Sequence, residues 1–397
     1  MQEAWVEALR AEFPAAEKLA FFDTAYENCG SRFARQAAEQ FFDDKAEVGP
    51  GLVKAGGAGK GPAIGVIAET RRLLSELINA EGIERMAFTA NTTQGINLVL
   101  QSYPFKPGDS VVVAAMEHVA VLMPCLWLRR KGVNIKLVKP ENPMLLTEDD
   151  LLAAADETTR FIVCSWVQSA SGCKVDMKAL TCAAHFRDIY VLTDVIQGIG
   201  FEPVDVREMG MDALSASPYK GMLGIEGMGF LYVNEKLCRE LSPVFSGDGP
   251  VMTIDREKGE IVYKPGTDER DARKLEAGTI PMLSIYCLNA ALKRMAEIGQ
   301  ETIAAHVLDC YNRVYDGLTA LGYAITTSRD PARHSHSMIV QVGGDPHIFV
   351  EWALERGVYL SGGRNGHVRV SVAPFTTDDD IEKLLTLFRD YAGRQEA

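Results

Sequence analysis

Between about residues 63 and 235, short apolar segments alternate with stretches of helical spacing. The strand-like segments are residues 86–89, 111–115, 135–138, 161–164, 190–193 and 230–233, and the helical ones are 63–77, 94–102, 121–130 and 177–187. Because short apolar strands separated by helices are typical of a parallel sheet covered on both faces, the pattern predicts an α/β domain. Ligands bind beyond the carboxyl ends of such strands, so the residues that follow each strand are the candidates for chemistry.

The C-terminal third follows a different pattern. A segment rich in Gly, Pro, Asp and Lys at 242–276 precedes two long amphipathic helices at 281–296 and 301–321. Strands at 338–342 and 367–372 then alternate with helices at 347–355 and 378–391, which predicts a smaller α+β domain. We therefore divide the chain into an N-terminal helical segment (1–20) that packs with the small domain, a large domain (21–278) and a small C-terminal domain (279–397).

Composition narrows the function classes. The formal net charge of −13 argues against a nucleic acid or an anionic membrane as the partner. The eight cysteines are scattered without a C-x-x-C pair, which argues against a zinc site or a disulfide framework. The N-terminus lacks the pattern of a signal peptide, and no apolar run reaches the roughly 20 residues of a membrane span. We expect a cytoplasmic protein with reduced thiols and no metal site.

Two segments after strands carry polar residues, one suited to an anion and the other to a planar ring. In the first, Thr92 and Thr93 open a helix, whose N-terminus favours an anion; the alternative is that one of them only caps the helix. In the second, His118 follows the strand 111–115, where a neutral imidazole can stack on a ring; the alternative is a packed or solvated histidine.

Two further segments carry an acid and an amine. Asp194 ends an apolar strand, where it can hold a proton on a heterocyclic nitrogen or serve as a cap or structural ion-pair partner. Lys220 lies among small and apolar residues, so burial can make it an amine nucleophile; alternatively its stem packs while its head reaches water. An anion cradle, a ring stacker, an acid and an amine together suit pyridoxal 5′-phosphate (PLP) bound to a lysine as a Schiff base.

From about Phe21 to Leu387 the sequence resembles the class-V aminotransferase family of fold-type-I PLP enzymes, which includes cysteine desulfurases, selenocysteine lyases and isopenicillin-N-epimerase-like enzymes. The motifs that carry the resemblance are Asp194-x-x-Gln197 and Ser217-x-x-Lys220, followed by the glycine-rich run 221–229. The resemblance implies an α/β large domain with a mainly parallel seven-stranded sheet flanked by helices, a smaller C-terminal α+β domain, and a homodimer with shared active sites.

The resemblance also implies roles around the cofactor. Lys220 would form the Schiff base and move protons at the substrate Cα, and Asp194 would pair with the ring nitrogen. Gln197 would bind the phenolic oxygen and His118 would stack on the ring. The phosphate would be held by Thr92, Thr93 and Ser217, and by Thr279 from the other subunit.

Arg369 matches the arginine that binds the substrate α-carboxylate, and Arg364 is a candidate second contact or a solvated loop residue. Three departures from the family stand out. Tyr219 replaces the histidine before the lysine, which alters or removes its phosphate contact, and Ser169 replaces an asparagine of desulfurases. Desulfurases of the family carry a nucleophilic cysteine on a loop ahead of this arginine, but here no cysteine follows Cys310, so the resemblance argues against a persulfide-forming desulfurase.

The reaction type stays open at this point. The motifs predict an enzyme acting at the Cα of a small L-amino acid, and family prevalence favours an aminotransferase. The alternatives are a C–S or C–Se β-lyase that releases ammonia and a keto acid, an amino-acid epimerase, and a catalytically silent binding protein.

Overall fold

The computed structural model describes residues 4–49, 61–245, 252–255, 257, 259–263, 269–276, 278–364 and 367–395. Its helices are α1 (Ala4–Arg10), α2 (Arg32–Val48), α3 (Pro62–Leu77), α4 (Thr92–Ser102), α5 (Val119–Trp127), α6 (Glu148–Ala153), α7 (Met177–His185), α8 (Glu235–Glu240), α9 (Met282–Ile298), α10 (Gln300–Ala320), α11 (Pro346–Glu355) and α12 (Asp378–Gln395).

Its strands are β1 (Ala20–Phe21), β2 (Met86–Thr89), β3 (Ser110–Ala114), β4 (Asn134–Val138), β5 (Thr159–Ser165), β6 (Tyr190–Asp194), β7 (Ala213–Ala216), β8 (Gly229–Val233), β9 (Met252–Asp255), β10 (Glu260–Tyr263), β11 (Ser337–Val340), β12 (Val358–Tyr359), β13 (Ser361–Arg364) and β14 (His367–Ser371). The predicted strands and helices of the large domain agree with these bounds to within a few residues.

The central sheet has seven strands in the order β2-β8-β7-β6-β5-β3-β4. Strands β7, β6, β5, β3 and β4 run parallel, whereas β8 is antiparallel to both β7 and β2. The register aligns Asp194 with Ser165 on one side and with Ser215 on the other. The carboxyl ends of these strands therefore bring their following residues to one edge of the sheet.

Both faces of the sheet are buried, which is why its strands consist almost entirely of apolar residues. Successive residues of one strand point to opposite faces, so Val111 and Val112 pack into two separate apolar cores. Strand β7 was not predicted, because its sequence Ala-Leu-Ser-Ala lacks the β-branched residues that mark the other strands.

A smaller sheet, β11-β14-β13, lies in the C-terminal part of the chain. The N-terminus joins this region: β1 pairs with β12, Phe13 stacks on Phe375 with ring centroids 4.2 Å apart, and Arg10 forms an ion pair with buried Asp380. These contacts are those expected if the N-terminal segment packs with the small domain, while the domain boundaries themselves remain a prediction.

Two histidines before β11 correct an expectation. The His334-Ser335-His336 run offers two metal-ligating side chains without a third ligand nearby, so the sequence predicts a solvated loop rather than a metal site. In the structure both rings are buried. His334 stacks on Tyr311 and His336 on Phe201, with ring centroids 4.0 and 3.5 Å apart.

Among the described residues, no helix is long and apolar enough to cross a membrane.

Candidate active site

One cavity, with about 690 Å³ of empty space including its open mouth, lies at the carboxyl edge of the central sheet. This is the place that the strand pattern predicts for a ligand. Most of the predicted site residues line it: Thr92, Thr93, His118, Asp194, Gln197, Ser217, Tyr219, Lys220 and Arg369.

The start of α4 forms the anion-binding wall of this cavity. Ser217 Oγ accepts a hydrogen bond from Thr92 N at 2.9 Å and lies 3.1 Å from Thr92 Oγ1. The helix cap is Asn91, whose Oδ1 accepts a bond from Gln94 N at 2.9 Å, so neither Thr92 nor Thr93 is the cap. Both threonines are thus left at the cavity surface, beside a helix N-terminus that favours a phosphate.

Asp194 and Gln197 form the floor. Burial raises the pKa of Asp194 above its usual value, although a hydrogen bond from Ile196 N and the charge of Lys220 oppose the shift. Gln197 donates from Nε2 to Ala25 O at 2.8 Å. Gln197 Oε1 is buried and has no hydrogen-bond partner among the described residues. The floor thus holds a carboxylate that a cation would stabilise and an amide that is only partly satisfied.

Lys220 lies in a tight loop after β7. The loop is closed by bonds from Gly224 N to Pro218 O at 2.9 Å and from Leu223 N to Lys220 O at 3.1 Å. The lysine is 9% exposed, and its Nζ lies 5.7 Å from the centre of the Tyr219 ring. Tyr219 therefore lines the cavity beside the amine, at the position where the resemblance leads one to expect a histidine.

His118 is the N-cap of α5 and its ring reaches the cavity. Its Nδ1 accepts a hydrogen bond from Ala120 N at 3.2 Å, which favours a neutral ring protonated at Nε2. Glu117 is buried next to it and accepts bonds from Ser165 N at 2.8 Å, Ser165 Oγ at 2.6 Å and Gln168 Nε2 at 2.7 Å. Burial raises the pKa of Glu117. Glu117 thus fastens the strand ends of β3 and β5 together behind the cavity.

Arg369 enters the cavity from β14 and is buried. Its Nη2 lies 3.4 Å from Asp23 Oδ1 and donates to Ser361 Oγ at 3.1 Å, and its Nη1 lies 3.4 Å from Ser169 O. Ser361 Oγ also donates to Asp23 Oδ1. The arginine is therefore not an outward-facing strand residue but a buried cation in the candidate site.

Two predicted residues are not brought to the cavity within one chain. Thr279 is exposed and does not line it, and its predicted reach to the partner subunit's phosphate remains a prediction. Arg364 lies on β13, but its side chain falls outside the described part of the structure, so its predicted substrate contact is also untested.

The sequence does not predict that the residues just after β1 contribute to the site. Ala25 and Tyr26 line the cavity, and Asp23 lies against Arg369. Nothing in the local pattern marks these residues, because they reach the site from the distant N-terminus. Glu117 carries a signal in the sequence, because it is an acidic residue two positions after the apolar strand 111–115.

The described residues fit PLP, the cofactor that the resemblance implies. The buried Asp194 would gain a cationic partner in a protonated ring nitrogen. Gln197, which also lines the cavity floor, has a buried Oε1 that can still accept a hydrogen bond. Thr92, Thr93 and Ser217 would hold the phosphate, while His118 would lie on the ring face. Lys220 supplies the amine.

Comparison with known proteins agrees with this assignment. The profile of the family described as aminotransferase class-V matches residues 51–384. A probable cysteine desulfurase of Methanothermobacter thermautotrophicus is 29% identical, covering 82% of this chain and 84% of that protein.

Solved structures share the fold. Apo cysteine desulfurase from Thermococcus onnurineus superposes with a TM-score of 0.87 at 21% identity, covering 99% of each chain. The cystine C–S lyase C-DES, in complex with its product cysteine persulfide, superposes with a TM-score of 0.85 at 19% identity, covering 95% of this chain and 99% of that chain. This chain therefore belongs to the class-V aminotransferase family, has PLP fold type I and uses PLP as its cofactor.

Proposed function

We propose that this protein is a C–S β-lyase that acts on a small L-amino acid such as cysteine or cystine. The observation that carries the proposal is that Lys220, Asp194 and Arg369 line one cavity, which no cysteine of the described chain enters. These three side chains supply an amine, a partner for the ring nitrogen and a carboxylate-binding cation.

Each residue has a defined task in this reaction. Arg369 binds the substrate α-carboxylate and so fixes the position of Cα. Lys220 Nζ accepts the proton from Cα as general base. Asp194 keeps the ring nitrogen protonated, and PLP, when bound, supplies the electron sink for the charge left at Cα.

The overall reaction balances without an oxidant or a reductant. The Cα–H and Cβ–S bonds of the substrate break, and the sulfur takes a proton and leaves as hydrogen sulfide from cysteine or as cysteine persulfide from cystine. Addition of water to the remaining three-carbon unit releases ammonia and a 2-oxo acid. Neither step requires a sulfur-accepting cysteine of the enzyme.

The relatives and the thiols support elimination over the other reactions of the family. Relatives named for cysteine desulfurase and cystine C–S lyase activity both act at a C–S bond. Burial raises the pKa of Cys29 and of Cys310 to about 12, so neither forms a thiolate at neutral pH. A desulfurase mechanism that holds sulfur on an enzyme cysteine is not supported by the cavity, because no cysteine lies among the described residues that line it.

The test is to mix the PLP-loaded enzyme with L-cysteine, L-cystine and a panel of other L-amino acids without any keto acid. Ammonia, 2-oxo acid and the visible absorbance of the cofactor are followed together. We expect many turnovers of ammonia and 2-oxo acid with the resting spectrum regained. Stoichiometric conversion to the pyridoxamine form, reversed by a keto acid, would instead establish the aminotransferase predicted from the sequence.

Two lysine variants control this experiment. Lys220→Ala should abolish turnover and the absorbance of the lysine-bound cofactor. Lys274→Ala removes another buried amine, one that donates to Cys238 O at 2.6 Å and does not line the cavity, and should retain turnover per folded molecule. Full activity in Lys220→Ala would refute the mechanism.

A further inference from the structure

Asp23 places a second charge beside the arginine of the candidate site. Three separate parts of the chain meet there: Asp23 follows β1 and is bridged to Ser371, while Ser361 and Arg369 are opposite partners in the antiparallel register of β13 and β14. Asp23 Oδ1 accepts from Ser361 Oγ and lies 3.4 Å from Arg369 Nη2. The carboxylate thus fixes one edge of the guanidinium.

The pair is taken out of water. The side chains of Arg369 and Asp23 are only 6% and 5% exposed, so their charges are poorly screened. A substrate α-carboxylate held by Arg369 would be a second carboxylate on the same buried guanidinium. Two carboxylates that share one site do not both stay ionised readily, because each disfavours the charge of the other.

The other groups around Asp23 do not remove this conflict. Ser361, Arg369 and Lys220 all favour the ionised form of Asp23. Burial outweighs all three and raises the pKa of Asp23. The negative charge of Asp23 also disfavours the ionised forms of two neighbours and so helps to raise their pKa values. These neighbours are Glu27, four residues along the chain, and Tyr359 on β12. A further carboxylate therefore enters a place where Asp23 is already poised to accept a proton.

We propose that Asp23 is a positioning residue that acts through Arg369, and that it takes up one proton from solvent when an α-carboxylate binds. This inference rests on the proposed role of Arg369 as the carboxylate-binding residue. Before substrate arrives, ionised Asp23 holds and neutralises the guanidinium. Afterwards the neutral carboxyl group still accepts hydrogen bonds from Ser361 and Arg369, and the full positive charge serves the substrate.

The pH dependence has a defined sign. Because binding takes up a proton, the affinity for a carboxylate falls as pH rises between the pKa of Asp23 in the free enzyme and its higher pKa in the complex. The fall approaches about tenfold per pH unit where uptake is complete. Asp23→Asn keeps the shape and an acceptor oxygen but cannot take up the proton, so its affinity should not change with pH over that range.

The test uses propionate, a carboxylate without an amino group, titrated into the PLP-loaded enzyme by calorimetry. Repeating each titration in two buffers of different ionisation enthalpy gives the number of protons taken up. We expect wild-type uptake approaching one proton, no uptake in Asp23→Asn, and tighter binding by Asp23→Asn than by the wild type at the alkaline end. Absence of uptake in the wild type, or the same uptake in Asp23→Asn, would overturn the proposal.

Two further variants keep the test decisive. Asp380→Asn breaks another buried aspartate–arginine pair, with Arg10, outside the cavity, and should retain wild-type uptake. Ser361→Ala removes a hydrogen bond that favours ionised Asp23. A proton should still be taken up on binding, but the midpoint of the pH range in which this happens should shift to higher pH. An unshifted midpoint would contradict the assignment even if Asp23→Asn failed to fold.

The propionate experiment is independent of the reaction type. Uptake that disappears in Asp23→Asn would support the inference even if the enzyme proves to be an aminotransferase. Binding that is unchanged in Arg369→Ala would instead refute the proposed carboxylate site itself, and with it the inference.

Discussion

Glu117 is the buried acid whose removal should disturb the site most without touching substrate. Its carboxylate accepts three hydrogen bonds of 2.6–2.8 Å from Ser165 and Gln168, and a longer one of 3.3 Å from His118 N. Glu117→Ala leaves at least three buried donors without an acceptor. At about 1 kcal/mol for each lost hydrogen bond, the free energy of unfolding should fall by about 3 kcal/mol.

A glutamine at this position separates hydrogen bonding from charge. Burial raises the pKa of Glu117, so the ionised form is the one that the site disfavours. Glu117→Gln removes that penalty and keeps one acceptor oxygen, but it points an N–H group at other donors. The expected loss is roughly half of that for Glu117→Ala, between about 1 and 2 kcal/mol.

The measurement is urea unfolding of the cofactor-free variants, followed by circular dichroism and fluorescence at matched concentration. Cofactor affinity is the second readout, because Glu117 holds both Ser165 and His118, and both line the cavity. A loss below about 1 kcal/mol for Glu117→Ala, with unchanged cofactor affinity, would refute the reasoning. A loss for Glu117→Gln as large as that for Glu117→Ala would show that charge, not hydrogen bonding, is what the site requires.

Two other predictions concern the cofactor wall and floor. Gly95→Ala should weaken PLP binding about tenfold, a change of about 1.4 kcal/mol, because the new Cβ would collide with Ser215 Oγ and push α4 off the sheet. Gly65→Ala on α3, where the new Cβ meets nothing within 4 Å, is the matched control and should leave PLP affinity, measured by absorbance titration, unchanged. In the cofactor-free protein, burial raises the pKa of Asp194, so the folded state holds a proton that the unfolded chain releases. The free energy of unfolding therefore falls as pH rises from the ordinary aspartate range towards the raised pKa of Asp194. Asp194→Asn should flatten this fall in urea titrations at a series of pH values, and a slope equal to the wild type would contradict the assignment.

The central sheet could be predicted from sequence because its strands are buried on both faces. Continuous apolar runs such as Val111–Val113 leave little choice but a covered strand, and the helices between them have clear spacing. Strand β7 and the antiparallel direction of β8 were not predictable in the same way. The first has no β-branched residue, and the second depends on how the chain returns to the sheet after Lys220.

Some residues of the candidate site could likewise be predicted from the sequence, and others could not. Asp194 and Lys220 were predicted from their apolar surroundings in the sequence, and Gln197 and Ser217 were predicted from the resemblance to the family. Asp23 was not, since its importance arises from a contact with Arg369 across the fold, and no local pattern encodes such a contact. Asn91 caps the helix by accepting from Gln94 N, whereas Thr92 N donates to Ser217 Oγ across the fold.

The segment from β1 to Asn28 has a consequence for how the protein acquires its shape. Thr24 Oγ1 donates to Val372 O, 348 residues away, and Asn28 N donates to Tyr219 O at 2.8 Å. During synthesis Val372 is added 348 residues after Thr24, so this hydrogen bond cannot form until the small sheet has been made. Contacts of such large separation close late and slowly. The wall of the cavity formed by Ala25 and Tyr26 is therefore expected to assemble late, so cofactor capture depends on contacts between parts of the chain that lie far apart in sequence.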